Sequence, residues 1–158
     1  MKRFKIILCL CISLFAAVPS FGQQHPNSLY LEVGGSAGIY SINYDRLIGS
    51  HLGIRIGFSY WADLIIPGIS AQIFPTSLNC FIGNGSSKFE LGVGVTYVIG
   101  EINWFGERAS GSVVVPNINI GYRYQSEDGG FLFRLGFMPL IGPHEILPWG
   151  GLSAGVSF

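Results

Sequence analysis

The chain is short of charge. Asp, Glu, Lys and Arg make up 11% of its 158 residues, against about 25% in an ordinary soluble domain, so little polar material is on hand to cover a water-facing surface. Basic runs are missing too. Nine basic residues balance nine acidic ones, and no cluster offers a surface for nucleic acid. Cysteine is scarce: Cys9 and Cys11 lie near the N-terminus and Cys80 stands alone beyond them. A chain that loses its N-terminal segment therefore has no internal disulfide. Past that segment no run approaches the ~18 consecutive apolar residues of a transmembrane helix, so any membrane crossing has to be made by strands. What the chain has in quantity is glycine, 23 residues, and aromatic side chains, 14% of the total.

Residues 1–22 have the order of a secretory signal. Lys2, Arg3 and Lys5 form a charged start, an apolar run fills 6–18, and Ser20 and Gly22 are small residues at −3 and −1 of a cut before Gln23. An uncleaved anchor is the alternative, disfavoured by the short run. No small residue immediately precedes Cys9 or Cys11, which speaks against a lipid-modified N-terminal cysteine. The expected organisation is a signal peptide over 1–22 and one domain over 23–158. That domain carries six basic and nine acidic residues, a net charge of −3.

The domain reads as eight segments of period-two alternation. The last, 149–158, sets Leu152, Ala154, Val156 and Phe158 against Gly151, Ser153, Gly155 and Ser157. In 28–37, Leu29, Leu31 and Val33 oppose Tyr30, Glu32, Gly34 and Ser36; in 39–47, Tyr40, Ile42 and Tyr44 oppose Ser41, Asn43 and Asp45. Segment 52–61 sets Leu52, Ile54, Ile56, Phe58 and Tyr60 against Gly53, Arg55, Gly57 and Ser59. The same pattern runs through 88–99, with Lys88, Glu90, Gly92, Gly94 and Thr96 on the polar face, through 113–125 with Asn117, Asn119, Gly121 and Arg123, and through 130–141 with Arg134 and Gly136. Segment 68–82 is the weakest: Ile69, Ala71 and Ile73 alternate with Ser70 and Gln72 before Pro75 interrupts. Pro75, and more mildly Pro116, predict local defects, since proline lacks the ladder donor.

Connections alternate in length. Turn chemistry at 49–50, 83–87 and 126–129 is tight, whereas 62–67, 101–112 and 142–148 are long, apart from a tight first link near Gly38. Strands of about ten residues tilted by ~40° span roughly 25 Å, the height of the apolar band of a membrane barrel. Tyr44, Phe89, Tyr122, Tyr124, Phe131 and Phe158 fall at one predicted rim and Tyr40, Tyr60, Tyr97 and Trp149 at the other, where ring side chains with a polar edge favour the headgroup zone.

Signal segment, eight alternating strands and the ending L-x-A-x-V-x-F at Phe158 together resemble the small outer-membrane β-barrels of Gram-negative bacteria, among them OmpA's membrane domain and OmpX. The resemblance covers the whole of 23–158 as a pattern, without matched residues. It implies an all-β, eight-stranded antiparallel up-and-down transmembrane barrel in the outer membrane, with both termini periplasmic. It further implies a monomer surrounded by outer-membrane lipids, whose last strand (Leu152, Ala154, Val156, Phe158) is the signal read by the barrel assembly machinery. A soluble lipocalin-like barrel is the alternative, and it would have to crowd every large apolar side chain into one narrow lumen.

Strand phase turns Glu32, Asp45, Arg55, Lys88, Glu90, Arg123 and Arg134 inward, in the periplasmic half. Isolated buried charges are costly, so these seven are expected to pair with one another as a plug; a gated ion path is the alternative. Eight strands leave a lumen that side chains fill, which excludes a general porin. Higher up, Gly34, Ser36, Ser41, Gly57, Ser59, Gly94, Thr96, Gly136, Gly151 and Ser153 are small. They suggest either a shallow pocket where the last strand meets the first, suited to a lipid chain or small apolar ligand, or packing by Trp61, Met138 and Leu140. Catalysis has little to work with: His25 precedes the barrel, His51 lies in a periplasmic turn, and His144-Glu145 has no serine at a usable spacing. No ligand set for a metal and no cofactor motif are present. Trp104 and Phe105 in the longest loop, with His144 and Trp149, are the candidates for an external contact surface, the two neighbours serving either as an adhesive tip or as rests on the bilayer rim. A non-enzymatic membrane protein with a structural or surface-interaction role leads, a ligand-binding barrel follows, and a lipid-modifying enzyme is a distant third.

Overall fold

The computed structural model describes residues 25–62, 67–104, 107–141 and 146–158, with the backbone only at 102–104, 107–108, 140–141 and 146–147. The signal segment 1–22 lies outside the described residues. The strands are β1 (Asn27–Gly34), β2 (Tyr40–Ile48), β3 (Leu52–Trp61), β4 (Ile69–Ile82), β5 (Ser87–Trp104), β6 (Glu107–Gln125), β7 (Gly130–Phe137), the two-residue pair β8 (Leu140–Ile141) and β9 (Ile146–Leu147), and β10 (Gly150–Ser157). Eight of them close into a barrel in the order β1-β10-β7-β6-β5-β4-β3-β2, with β8 and β9 as a separate ribbon. Every barrel pairing is antiparallel between chain neighbours, and β1 with β10 completes the ring. This is an all-β, up-and-down barrel.

Alternation explains its two surfaces. Outward residues are apolar: Leu31 is 63% exposed, Val93 61% and Leu152 51%. Their chain neighbours on the inner face, such as Glu32 and Ser153, are buried. Ring closure gives every barrel strand a hydrogen-bonded neighbour on both sides, which is the condition for strands in hydrocarbon. The chain ends meet at one rim, where the Asn27 and Phe158 amides each donate to the other's carbonyl at 3.0 and 2.8 Å. The turns after β2, β4 and β6 lie at this rim too, so it is the terminal end; the other is the loop end.

Several bounds differ from those the sequence predicts. The first strand stops at Gly34, and Gly35–Ala37 form a single 3₁₀ turn folded into the mouth, with Ala37 buried. Gly34, Gly35 and Gly38 have φ of 78°, 76° and 84°, left-handed values that a chain with side chains would resist. The stretch 101–112, which its polar composition marks as a loop, is mostly paired: β5 and β6 hold one register from Ser87–Tyr124 to Trp104–Glu107. In β4 the apolar face of 69–73 turns inward, Ala71 and Ile73 being buried and Gln72 exposed. Neither proline makes a bulge. At Pro75 the β3–β4 ladder pauses after Ile56–Thr76 and resumes in unchanged register at Ser59–Ile73. Pro116 pairs with Val95 and stands clear of the part of β6 that meets β7, where a missing donor costs nothing.

Candidate functional site

Two arrangements inside the barrel could carry function: an ion network in its terminal half and an apolar cavity at its loop end. The network is built from inner-face residues of seven strands, every strand of the barrel except β4. Glu32 on β1 accepts from Arg55 on β3 at 3.1 Å and lies 3.6 Å from Arg134 on β7. Arg134 also pairs with Glu90 on β5, donating from both Nε and Nη2. Its Nη1 donates to the Tyr30 hydroxyl at 2.8 Å, and its guanidinium lies over the Tyr30 ring. Serines finish the cage around Glu32: Ser41 and Ser153 donate to its two oxygens at 3.4 and 3.3 Å. Asn119 donates to Glu90 at 2.8 Å.

A second pair sits nearer the termini. Arg123 on β6 donates to both oxygens of Asp45 on β2, at 3.1 and 3.4 Å, and to Ser28 and Gln125. Its guanidinium stacks on Phe81, 4.9 Å from the ring centroid. Phe81, Leu47 and Leu132 are all buried here, an apolar floor absent from the list of inward charges. It was readable in principle, because each lies two residues from a polar inner-face position.

Six of the seven inward charges thus form ion pairs: Glu32, Asp45, Arg55, Glu90, Arg123 and Arg134. Lys88 does not, contrary to the expectation that all seven pair; no described residue makes a salt bridge with it. Three carboxylates are matched by three guanidiniums, and Lys88, beside Arg123 in the ladder, sits second in β5 at the terminal rim. Its side chain is buried there, 7% exposed, with the rim as its shortest way to water.

Among the small residues assigned to the upper lumen, Ser41 and Ser153 belong to the ion cage. The junction of the first and last strands is closed: a Cβ on Gly151 would stand 3.0 Å from Gly35 Cα, and the Trp149 indole N–H donates to Gly35 O at 3.1 Å. Trp149 is therefore half-buried against the turn. The turn is pinned from below, since Ser36 Oγ accepts from Arg55 at 3.2 Å and Ser36 O accepts from Thr96 at 3.1 Å.

The void lies on the other wall. A cavity of about 400 Å³ opens at the loop end, lined chiefly by Ala37, Trp61, Ala71, Ile73 and Val98, with Asn117 and Met138. Ala37, Ala71 and Ile73 form one buried cluster with Trp61 and Val98 packed against it. The inward turn of β4's apolar face supplies this wall.

His25 and His51 are both at the terminal end: the His25 carbonyl accepts from Gln125 at 3.1 Å, and exposed His51 lies 2.6 Å from Ser50 Oγ. Phe105, His144 and Glu145 lie outside the described residues; Trp104 and Leu140 are described in backbone alone. Among the described residues no three His, Cys, Asp or Glu stand close enough to hold a metal.

No family model and no curated protein sequence matches the chain. Solved structures do. The N-terminal β-barrel domain of Pseudomonas aeruginosa OprF matches with a TM-score of 0.66 at 14% identity, over 85% of this chain and all of that one. Ail, the attachment invasion locus protein of Yersinia pestis, matches with a TM-score of 0.56 at 10% identity, over 86% of this chain and 100% of that chain. The molecule has the fold of the small eight-stranded outer-membrane β-barrels of Gram-negative bacteria.

Proposed function

We propose that this protein is an outer-membrane barrel with a closed lumen, acting as a structural or surface-interaction protein and neither as a porin nor as an enzyme. The ion network carries the reading. Arg123, Asp45, Glu32 and Arg55 are all at most 1% exposed, so they fill the cross-section that solute would need, in a barrel already at the size side chains can fill. In this reading the termini and short turns face the periplasm, and the β5–β6 hairpin projects outside, where surface contacts are made. The attachment named for the Yersinia protein is one form such a role takes on this fold. Leu152, Ala154, Val156 and Phe158 point outward along β10, open to the barrel assembly machinery, and the finished barrel stands in outer-membrane lipid as a monomer. Osmotic swelling of phospholipid vesicles tests the lumen. Vesicles loaded with the folded protein should admit arabinose no faster than protein-free vesicles; porin-like swelling would defeat the proposal.

A further inference from the structure

The cavity at the loop end breaks the rule that governs the rest of the lumen. In the terminal half the inner faces of β4, β5 and β6 bury Asn79, Glu90 and Arg123. In the loop half the same faces carry Ile73, Val98 and Val115, and β4 sets polar Gln72 outward in exchange. The polar groups that remain in the lining offer a guest nothing. Trp61 Nε1 and Asn117 Oδ1 are closed off within the wall, and the Thr96 hydroxyl is engaged with Ser36 O and Asn117 Nδ2. Ile69, Val98 and Val115, by contrast, are half-buried and keep accessible surface in the lining. Water finds few partners in such a space, and apolar cavities stay dry or take up an apolar guest. A volume of about 400 Å³ is enough for one.

The ladder shows where a guest comes from. β6 and β7 pair from Gln125–Leu132 to Ile120–Phe137 and no further, while β6 runs on to Glu107 against β5. β8 passes close to β6, but its ladder is with β9. Beyond Ile120, then, no ladder among the described residues joins β6 to the chain that follows β7. The cavity is lined on this side by Val115, Pro116 and Asn117 and by Met138 and Pro139, so the unladdered wall of the barrel is also a wall of the cavity. It lies below the aromatic rim: Val114 stands opposite Tyr97, and Pro116 opposite outward-facing Val95. Strand backbone without a partner is costly in hydrocarbon. Prolines on both borders of the break lessen that cost, because Pro116 and Pro139 have no N–H to leave unmatched.

We propose that an acyl chain of a lipid beside the barrel enters through this break and lies in the cavity against Ile69, Val98 and Val115, its headgroup staying at the loop-end interface. Hydrocarbon is the solvent at the break, so the chain passes from lipid to cavity without crossing water. A guest arriving from the water side would pass Glu101, exposed at the mouth. The proposal rests on lipid around the barrel and not on the closed lumen, which vesicle swelling tests separately.

The test looks for nuclear Overhauser contacts between lipid chains and protein methyls. The folded protein, deuterated except at Val, Leu and Ile methyls, is placed in nanodiscs of phosphatidylcholine with protonated chains. Chain methylenes should give cross-peaks to Ile69, Val98 and Val115 as well as to outward-facing Val93. Leu132, fully buried at the terminal end, should give none. Val98→Phe, which fills the cavity, should abolish the cross-peaks at Ile69 and Val115, keep those at Val93, and keep the heat-modifiable gel mobility of a folded barrel. Cross-peaks at Val93 with none at Val98 and Val115 would overturn the proposal on the unmodified protein alone. Persistence at Ile69 and Val115 in folded Val98→Phe would put the contacts outside the cavity and overturn it too. With chains deuterated and protonated decane added, inner-wall cross-peaks that come from decane but never from lipid would give the cavity to free hydrocarbon, against the proposal. Silence at Val93 as well would remove the surrounding lipid, and the outer-membrane reading would fall with it.

Discussion

Arg134 is the residue on which the lumen turns: among the described residues it alone forms ion pairs with both Glu32 and Glu90. Truncating one member of a buried pair strands the other, at a cost of about 3–5 kcal/mol, whereas replacing both with apolar groups is often neutral. Arg134→Met should therefore lower stability by ~3–5 kcal/mol, measured by urea unfolding from phospholipid vesicles followed by tryptophan fluorescence. Glu90→Leu with Arg134→Met should recover most of that loss, because Glu32 keeps Arg55 at 3.1 Å. Simple additivity of the two changes would show that Glu90 and Arg134 are not coupled. Period-two phase makes these residues legible as inward, yet their partners are not. In the ladder Asp45 lies beside Arg55 and Arg123 lies beside Arg134, so neighbour logic would pair the first two and set the last two in repulsion. Instead Arg55 passes over β2 to Glu32 on β1, and Arg123 crosses the barrel from β6 to Asp45 on β2. The stagger that permits this belongs to the closed ring and is written in no local stretch.

At the scale of strands, the residues legible from sequence are those whose alternation is clean. Segment 52–61 coincides with β3 (Leu52–Trp61), where five apolar residues alternate with four small or charged ones. The hairpin β5–β6 extends past its predicted ends because a paired ladder satisfies its own backbone in water, so Gly and Ser at 110–112 do not end it. That extension predicts accessibility. In a Cys80→Ser background, Ser110→Cys should react with a membrane-impermeant maleimide on intact cells, and Ser126→Cys, in a terminal-end turn, should not. The reverse labelling would invert the barrel. The closing seam makes a second demand, on glycine. A Cβ on Gly155 would lie 2.2 Å from the Leu29 carbonyl oxygen and 2.4 Å from Tyr30 Cβ, whereas one on Gly111 would meet nothing within 4 Å. Gly155→Ala must push β1 from β10, and overpacking of this sort costs about 1–3 kcal/mol. It should reduce the heat-modifiable folded fraction; Gly111→Ala should not. Equal behaviour of the two would mean that the seam is looser than its geometry.

At the scale of the molecule, the question is which solvent the outer surface meets. A water-soluble barrel and a membrane barrel with this topology differ in how they tolerate a charge placed outside. Val93 and Val114 test the point because they are nearly equally exposed, 61% and 57%, and lie on the adjacent strands β5 and β6. Val93 is flanked in the ladder by Leu78 and Ile118, while Val114 pairs with Tyr97 near the aromatic rim. Water would be indifferent to which of them became arginine. A bilayer would not: a lipid-facing arginine costs ~2–4 kcal/mol at mid-depth and ~0–1 kcal/mol near the interface. Val93→Arg should therefore destabilise the vesicle-embedded barrel by about 2–4 kcal/mol, and Val114→Arg by about 0–1 kcal/mol. Equal, small effects at both positions would remove lipid from the outside of the barrel, and with it the reason for the exposed Leu, Val and Phe that cover it.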